Sequence, residues 1–351
     1  DGNITSLRAQ VDILGDEQTS LLSEHLRAAM AGAASLLGRR AAAGRVRHVH
    51  GDLHLANIAL IDGEPVAFDC LEFDQELATT DVLYDLAFLL MDLWQRGQHD
   101  AANFAFNRYC DLSSDDEDGL ALMPLFLATR ATIRAHVLAA QSRRGDPDGL
   151  IAQRALAFLD LALDFLEPSA PRLIAVGGLS GSGKSTLARR LGGSVGRAPG
   201  ARILRSDVLR KRLAGIPPET PLPGDAYTPE ASAAVYRELE TLARQALGQG
   251  QSVIADAVFA HAAERDAIAA VGGVTFAGLW LELDTQARTE RVDSRGPDAS
   301  DANAAVVAAQ AGYDTGSMGQ WHVIPARGPM EEIESRAREC LSAPDICPAS
   351  D

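Results

Sequence analysis

The sequence predicts two domains, a mainly helical first half and a second half of the α/β class with a parallel sheet. The chain has 351 residues, more than one domain usually holds, and 46% of them are apolar, which is ample for two cores. Apolar residues follow a helical period as far as residue 166, whereas short apolar runs alternate with helical segments after residue 171. Because such βα alternation favours a parallel sheet with helices on both faces, the halves differ in class.

The first half is defined by its helical patterns. Helices are predicted over 17–43, 80–96, 101–110, 120–142 and 150–166. Pro168 would stop the last of them, and Ser-Ala-Pro at 169–171 is the expected linker. We therefore expect domains over 1–168 and 169–330, then a C-terminal helix and tail over 331–351. The acidic stretch Asp111–Gly119 lacks the spacing of a calcium-binding loop and is expected to be a solvated loop.

The second half reads as alternating strands and helices. Strands are predicted at 172–177, 201–206, 252–255, 275–283 and 321–324. Helices are predicted at 185–191, 208–213, 230–247, 262–270 and 285–294. In a parallel sheet of this kind, ligands gather at the carboxyl ends of the strands, so polar residues at those ends are the candidates for function.

Composition excludes some partners and suggests a compartment. A net charge of −16 argues against binding nucleic acid or an anionic membrane through bulk charge, so neither partner is expected. The four cysteines are widely spaced, which fits free thiols in a reducing cytoplasm. Neither a membrane-spanning run nor a signal peptide is visible in the sequence. The chain opens with Asp1 rather than Met, as a fragment of a longer protein would.

The stretch 178–186, GLSGSGKST, fits the phosphate-binding pattern G-x-x-x-x-G-K-[ST] and lies between a predicted strand and a predicted helix. The chain has only two lysines among 32 basic residues, so Lys184 looks selected for a task that arginine cannot do. Backbone N–H groups of such a loop surround an anion at a helix N-terminus, while the lysine reaches the β- and γ-phosphates. Ser185 would ligate Mg²⁺. The predicted ATP-binding residues are Gly178, Ser180, Gly181, Ser182, Gly183, Lys184, Ser185 and Thr186.

Two aspartates follow predicted strands in the second half. Asp207 comes after ARILRS and Asp256 after SVIA, so both are expected to face the phosphates across the crevice. One carboxylate could accept a proton from a substrate hydroxyl, and the other could hold Mg²⁺ through water. Either could instead cap a helix N-terminus, a position that aspartate favours. We assign Asp207 to the acceptor hydroxyl and Asp256 to the metal as the working hypothesis.

A cluster of arginines follows the fourth predicted strand of the second half. Arg288, Arg291 and Arg295 are spaced three and four apart, on one helix face. A turn-rich loop over 296–302 and a second helix come next. A helix–loop–helix with arginines near its hinge would make a lid that stabilises the charge in transit and excludes water. A solvated helix face is the simpler alternative.

These motifs resemble those of the small P-loop kinases, the group that includes gluconate-kinase-like and zeta-toxin-like domains. The resemblance spans 172–328 and rests on the phosphate loop, RSDVLRKRLAG, VIADAVFAHAAERDAI, RTERVDSR and SDANAAVVAAQ. It implies a P-loop NTPase fold in which Asp207 handles the acceptor hydroxyl and Arg291 and Arg295 belong to the lid. Arg265 resembles an arginine often found in this group, without an assigned role.

A second motif lies in the first half, within HVHGDLHLANIALIDGEPVAFDCLEFD at 48–74. Asp52, Asn57 and Asp69 have the order of a proton-accepting Asp, a metal-binding Asn and a metal-binding Asp in phosphoryl transfer. With D-x-x-x-D-L-A at 81–87, the stretch resembles the aminoglycoside-phosphotransferase family over about 45–165, which implies the C-terminal lobe of a protein-kinase-like fold. A metal site formed by His48, His50 and His54 is the alternative.

The first half departs from that family. Its N-terminal lobe, a small sheet with a phosphate-binding lysine, should precede the motif. Only 49 residues precede His50, residues 1–183 contain no lysine, and 17–43 reads as a helix. We therefore expect the nucleotide-binding N-terminal lobe to be missing and the site at Asp52, Asn57 and Asp69 to be vestigial or inactive.

The order of the two halves resembles a bacterial family that pairs a phosphotransferase-like lobe with a P-loop kinase or AAA-type ATP-binding domain. The main hypothesis is an ATP- and Mg²⁺-dependent small-molecule kinase that acts through Lys184, Asp207, Arg291 and Arg295. The Pro-rich, weakly charged segment 215–227 follows Asp207 and is expected near the acceptor, which favours a neutral acceptor or a polyol. Two alternatives are a kinase acting through Asp52 and Asn57 and a regulatory module that binds ATP and hydrolyses it slowly.

Overall fold

The computed structural model describes residues 2–72, 74–293 and 299–342, and for 224 and 225 the backbone alone. The chain divides into two compact units. The first unit holds residues up to Ser169 together with Arg197–Gly200, and the second holds Ala170–Gly196 and the chain from Ala201 onward.

The first unit is mainly helical, as predicted. Its helices are α1 Gly2–Arg8, α2 Val11–Leu14, α3 Asp16–Ala42, α4 Val82–Gln95, α5 His99–Leu112, α6 Met123–Ser142 and α7 Leu150–Leu166. Its strands are β1 Val46–His48, β2 Ile58–Ile61, β3 Glu64–Ala67 and β4 Thr79–Asp81. The strands form two antiparallel pairs, β1 with β4 and β2 with β3. The segment predicted as a helix over 17–43 is α3, and the residues described before β1 contain no strand.

Packing of α4, α6 and α7 forms the core of the first unit. Ala131 and Ala135 on α6 are fully buried, as are Ala155 and Leu159 on α7. Small residues at this seam let the two helices pack closely. Larger apolar residues of the same unit, such as Phe106 and Met123, are also fully buried. The long apolar helices predicted from the sequence therefore pack against one another.

The prediction of a solvated acidic loop at 111–119 is wrong. Residues Ser114–Leu122 form a 3₁₀ helix, and Asp116 and Glu117 are buried. The cause is Arg40, whose fully buried guanidinium donates to Asp81 Oδ2 and Oδ1 at 2.7 and 2.9 Å, pairs with Asp116 Oδ1 at 3.5 Å and contacts Asp118. A buried cation needs anionic partners, so the acidic stretch folds inward around it.

The second unit is a parallel α/β domain, as predicted. Its strands are β5 Arg172–Gly177, β6 Arg202–Arg205, β7 Val253–Asp256, β8 Thr275–Glu282 and β9 His322–Pro325. Its helices are α8 Lys184–Gly192, α9 Ser206–Leu213, α10 Pro229–Gly248, α11 Ala262–Ala269, α12 Thr285–Asp293, α13 Ala304–Gln310 and α14 Met330–Ser342. The five strands are ordered β6-β7-β5-β8-β9, and every pairing is parallel.

The register of this sheet brings polar residues to one edge. Val176 near the end of β5 and Arg205 at the end of β6 both lie opposite Asp256. The strand interiors are buried, with Ile174 and Ile254 at zero exposure, and α14 packs on β9 and α8 through the buried residue Ile333. The central strands therefore end together where the chain enters the phosphate-binding stretch.

Two general findings complete the fold. Within the described ranges, no helix is both long and apolar enough to span a bilayer. Cys70, Cys110 and Cys340 are free thiols.

Candidate active site

The stretch 178–183 forms a tight loop between β5 and α8, with the backbone geometry that the motif requires. Gly181 and Gly183 adopt φ values of +85° and +100°, a region that favours glycine. A Cβ on Gly181 would also lie 2.5 Å from the backbone oxygen of Arg288. Because α8 begins at Lys184, the loop ends at a helix N-terminus, where backbone N–H groups and the helix dipole favour an anion.

A pocket of about 440 Å³ opens beside this loop. Most of the residues predicted to bind nucleotide line it, namely Ser180, Gly181, Gly183, Lys184, Ser185 and Thr186. Lys184 reaches back across the loop, and its Nζ donates to the backbone oxygen of Leu179 at 3.3 Å. Gly178 and Ser182 belong to the loop but lie outside the lining, and Ser182 is fully buried. Their contribution is to the backbone shape of the loop.

Asp207 and Asp256 line the same pocket as the phosphate loop. Asp256 is the last residue of β7, is 4% exposed, and has its Oδ2 3.5 Å from Arg205 Nε. Asp207 lies in the first turn of α9, one residue beyond the predicted strand end. The N-cap of α9 is Arg205 and that of α11 is His261, so helix capping does not account for either carboxylate.

The surroundings of Asp207 favour its neutral form more than water would. Burial raises the pKa of Asp207, and the nearby Asp256 carboxylate raises it further. The Arg205 guanidinium, a hydrogen bond from Ser300 and the Lys184 ammonium oppose this rise without cancelling it. A carboxylate with a raised pKa is a better proton acceptor, which suits a group facing a hydroxyl.

The donor set of the pocket fits a magnesium-bound nucleotide. Ser185 and Asp256 both line it, and hydroxyl and carboxylate oxygens are the ligands that Mg²⁺ prefers. Lys184 and Arg189 add positive charge at the same wall. Arg189 was not singled out from the sequence, because in an arginine-rich chain nothing local distinguishes it from a solvated cation.

The predicted lid arginines have different surroundings. Arg291 lines the pocket, and its guanidinium donates to the backbone oxygens of Ser182 at 3.1 Å and Ala326 at 2.8 Å. Arg288 is buried beneath the loop, where it donates to Thr285 Oγ1 at 3.1 Å, and burial lowers its pKa. Arg295 lies outside the described residues. The helix that carries these arginines therefore braces the phosphate loop.

The sequence did not identify Gln310 at the end of α13. Its Oε1 accepts a hydrogen bond from the backbone N–H of Ser180 at 2.7 Å. Arg265, whose role was open, is buried and donates to the backbone oxygens of Phe259, Ala260, Thr315 and Ser317 at 2.8–2.9 Å. It ties α11 to the segment before β9 and does not line the pocket.

The first unit places Asp52 and Asn57 together. Asn57 is buried, and its Nδ2 donates to the backbone oxygen and to Oδ2 of Asp52, both at 3.0 Å. With the amide nitrogen so engaged, the amide oxygen is the atom that could ligate a cation. His54 Nε2 lies 3.4 Å from Asp52 Oδ2. The spacing of the motif therefore corresponds to a real contact between two of its three residues.

Two buried side chains hold the turn that precedes Asp52. Asp85, on α4, accepts from the backbone N–H groups of His50 at 3.2 Å and Gly51 at 2.9 Å. Arg130 donates to the backbone oxygen of Gly51 at 3.2 Å and lies over the ring of Tyr84 at 3.9 Å. Burial raises the pKa of Asp85, although its hydrogen bond from Gly51 and the Arg130 charge oppose the rise.

Asp69, the third residue of the motif, is exposed and has a φ of +61°. Among the described residues, no group of three or more His, Cys, Asp or Glu side chains is arranged to hold a metal ion. The alternative of a site formed by His48, His50 and His54 therefore has no support in the geometry.

Each half of the chain matches a protein-family model. Residues 3–122 match the model of the phosphotransferase enzyme family, and residues 173–313 match an AAA domain model. The first match begins well before the motif that suggested it. Two proteins described as uncharacterized, from Mycobacterium bovis and Mycobacterium tuberculosis, are each 34% identical over 300 residues, which is 82% of this chain. The chain spans 58% of the length of those relatives.

Similar solved structures include two kinases. A sugar kinase from Janibacter sp. HTCC2649, in an unliganded structure, has 22% identity and a TM-score of 0.39 and covers 49% of this chain and 94% of its own. A gluconokinase from Sinorhizobium meliloti 1021 has 21% identity and a TM-score of 0.34 and covers 49% of this chain and 95% of its own.

Proposed function

We propose that this chain, which joins a segment of the phosphotransferase enzyme family to an AAA-type P-loop segment, transfers the γ-phosphoryl group of ATP to a small-molecule hydroxyl in its second unit. One observation carries the proposal. The phosphate loop, Asp207 and Asp256 line one pocket at the carboxyl edge of the parallel sheet. That edge is where ligands of such sheets bind.

Each residue of this pocket has a separate role in the proposed reaction. The loop N–H groups and Lys184 would hold the β- and γ-phosphates, and Arg291 would keep the loop in shape through Ser182. Asp207 would accept the proton of the attacking hydroxyl as its oxygen bonds to the γ-phosphorus and the bond to the β-phosphate oxygen breaks, which releases ADP. Mg²⁺, held by Ser185 and through water by Asp256, would neutralise charge on the phosphate oxygens.

A kinase is favoured over a slow, nucleotide-sensing ATPase by the position of Asp207. Its carboxylate lines the pocket, and burial and the Asp256 carboxylate raise its pKa, as suits a proton acceptor, whereas a sensor needs only the loop and a metal ligand. Ser206 and Ser300 line the same wall and supply hydroxyl groups that could orient a hydroxyl-bearing acceptor.

The first unit is the second candidate. The contact between Asn57 and Asp52 and the match to the phosphotransferase family favour a separate phosphoryl-transfer site there. Against it, residues 2–45 form three helices and contain no lysine, so nothing within them corresponds to a sheet and a lysine that would bind a nucleotide.

The test is ADP release from ATP and Mg²⁺ in the presence of single hydroxyl-bearing acceptors, beside a sample with water alone. We expect at least one acceptor to raise ADP release above the water background and to yield a phosphorylated product. The Lys184→Ala variant should lose that increase, whereas Arg237→Ala, which removes an exposed cation on α10, should keep it. Turnover that no acceptor raises would favour the sensor, and turnover that survives Lys184→Ala would favour the first unit.

A further inference from the structure

The second of the two lysines, Lys211, is as unusual as the first. It lies one helical turn after Asp207 on α9 and is 1% exposed. Its Nζ donates to Asp301 Oδ1 at 3.0 Å. Lysine is seldom buried without a partner because its ammonium loses water, so this pair marks a position where a fixed charge has been retained inside the fold.

Asp301 serves more than the lysine. Its second carboxylate oxygen accepts from the backbone N–H of Leu222 at 3.0 Å and from the hydroxyl of Tyr227 at 2.7 Å. Burial alone would raise the pKa of Asp301, but the bonds from Tyr227, Leu222 and Lys211 lower it below the ordinary value. The carboxylate is therefore held ionised at the centre of a small network.

Leu222 and Tyr227 belong to the Pro-rich segment 215–227. Arg210 on α9 also contacts that segment. Arg210 donates to the backbone oxygen of Ala226 at 3.0 Å, and its guanidinium lies 4.8 Å above the ring of Tyr227. Burial raises the pKa of Tyr227, and the negative charges of Asp301 and Asp207 add to this rise.

The residue before Asp301 contacts Asp207 itself. Ser300 lines the pocket and hydrogen-bonds to the Asp207 carboxylate. Adjacent residues therefore contact the proposed base and the segment expected to border the acceptor. Beside this segment, Lys211 is paired with Asp301, whereas Arg210 is bonded to a backbone oxygen and to Ser232 Oγ at 3.2 Å and keeps its positive charge.

We propose that Asp301 is a positioning residue of the acceptor site, which holds the segment 215–227 through its bonds from Leu222 and Tyr227 and presents the adjacent Ser300 to Asp207. The inference rests on the proposed kinase function and deepens it. Asp301 touches neither nucleotide nor acceptor in this role, so its loss should affect the acceptor and leave the phosphate loop intact.

The test compares Asp301→Asn with Asp293→Asn, which alters an exposed carboxylate at the end of α12. With a polyol acceptor, Asp301→Asn should raise the acceptor KM by about tenfold or more, as misplaced substrate contacts do. It should also increase the share of ATP lost to water, while the Kd for ATP stays within about twofold. Asp293→Asn should match the parent in all three measurements.

A second variant separates positioning from folding. In Asp301→Asn/Lys211→Met both charged partners are gone, so the melting temperature should recover relative to Asp301→Asn. The acceptor KM should stay high, because Leu222 and Tyr227 still lack their anion. A KM that returns to the parent value in the double variant would show a merely structural role and overturn the assignment.

Acceptor-dependent transfer in the parent separates this inference from the kinase function. A parent that transfers phosphate to none of the hydroxyl-bearing acceptors defeats the kinase function and this inference together. A transferring parent with an unchanged acceptor KM in Asp301→Asn defeats the inference alone.

Discussion

Two regions of the molecule carry an aspartate that the sequence motifs predict to act in phosphoryl transfer, and their surroundings differ. In the first unit, the Asp52 side chain is 39% exposed and rests against the Asn57 amide. In the second unit, Asp207 lines a pocket with the phosphate loop and a second carboxylate, and burial raises its pKa. The comparison teaches that a motif supplies the residue types, while the tertiary structure determines which loop and which charged side chains lie beside each carboxylate.

The largest effect is expected for Asp207→Asn. Asparagine keeps the shape but cannot accept a proton, so phosphoryl transfer should fall by roughly 10²-fold or more while ATP affinity holds. The measurement pairs acceptor-dependent ADP release with the Kd for ATP. Asp266→Asn, an exposed carboxylate on α11, is the matched control.

Each other outcome has a distinct meaning. If ATP·Mg²⁺ binding weakens along with transfer, Asp207 serves the metal rather than the acceptor. If transfer is equal in Asp207→Asn and the parent, Asp207 is not the base, and Asp256 or the sensor hypothesis gains. Either result would reduce the difference in function that we assign to the regions around Asp52 and Asp207.

The next effect in size concerns Lys184, for which the first unit has no equivalent. Lys184→Ala should weaken ATP binding or turnover by ~2 kcal/mol or more, about 30-fold, as loss of charge-assisted phosphate contacts would. Calorimetry with a non-hydrolysable ATP analogue gives the binding part directly. Unchanged affinity and turnover would remove the second unit from the reaction and leave the first unit as the site.

A smaller effect is expected in the pH dependence of kcat/KM for ATP, which tests the electrostatic surroundings of Asp207. Asp207 acts ionised, so activity should fall as the pH drops through its pKa, and because that pKa is raised, the acid limb should lie above that of an ordinary aspartate. Asp256→Asn removes a charge that raises the pKa and should move the limb to lower pH. Ser300→Ala removes a bond that lowers it and should move the limb to higher pH. Shifts in the same direction would contradict this electrostatic account.

The phosphate loop and the two aspartates of the site could be predicted from the sequence, because each follows a local pattern. The phosphate loop is one continuous stretch, and Asp207 and Asp256 follow short apolar strands whose ends a parallel sheet must bring together. The contacts Lys211–Asp301 and Arg40–Asp116 join residues 90 and 76 positions apart, and no local pattern marks such partners. Local sequence alone therefore predicts a solvated loop for the acidic stretch and a turn-rich loop for the segment that contains Asp301.

The smallest effect is expected in the first unit and tests the other side of the comparison. Asp52→Asn and Asp69→Asn should leave ATP turnover unaltered, because Asp69 is exposed and residues 2–45 supply helices and no lysine to hold the phosphates. Asp52→Asn also keeps a side-chain oxygen for the Asn57 amide, so the fold should hold, which a thermal melt can verify. A large fall in turnover with an unchanged melting temperature would place the chemistry at Asp52. The pocket that contains Asp207 would then be the regulatory site, and the assignment of roles to the two regions would have to be exchanged.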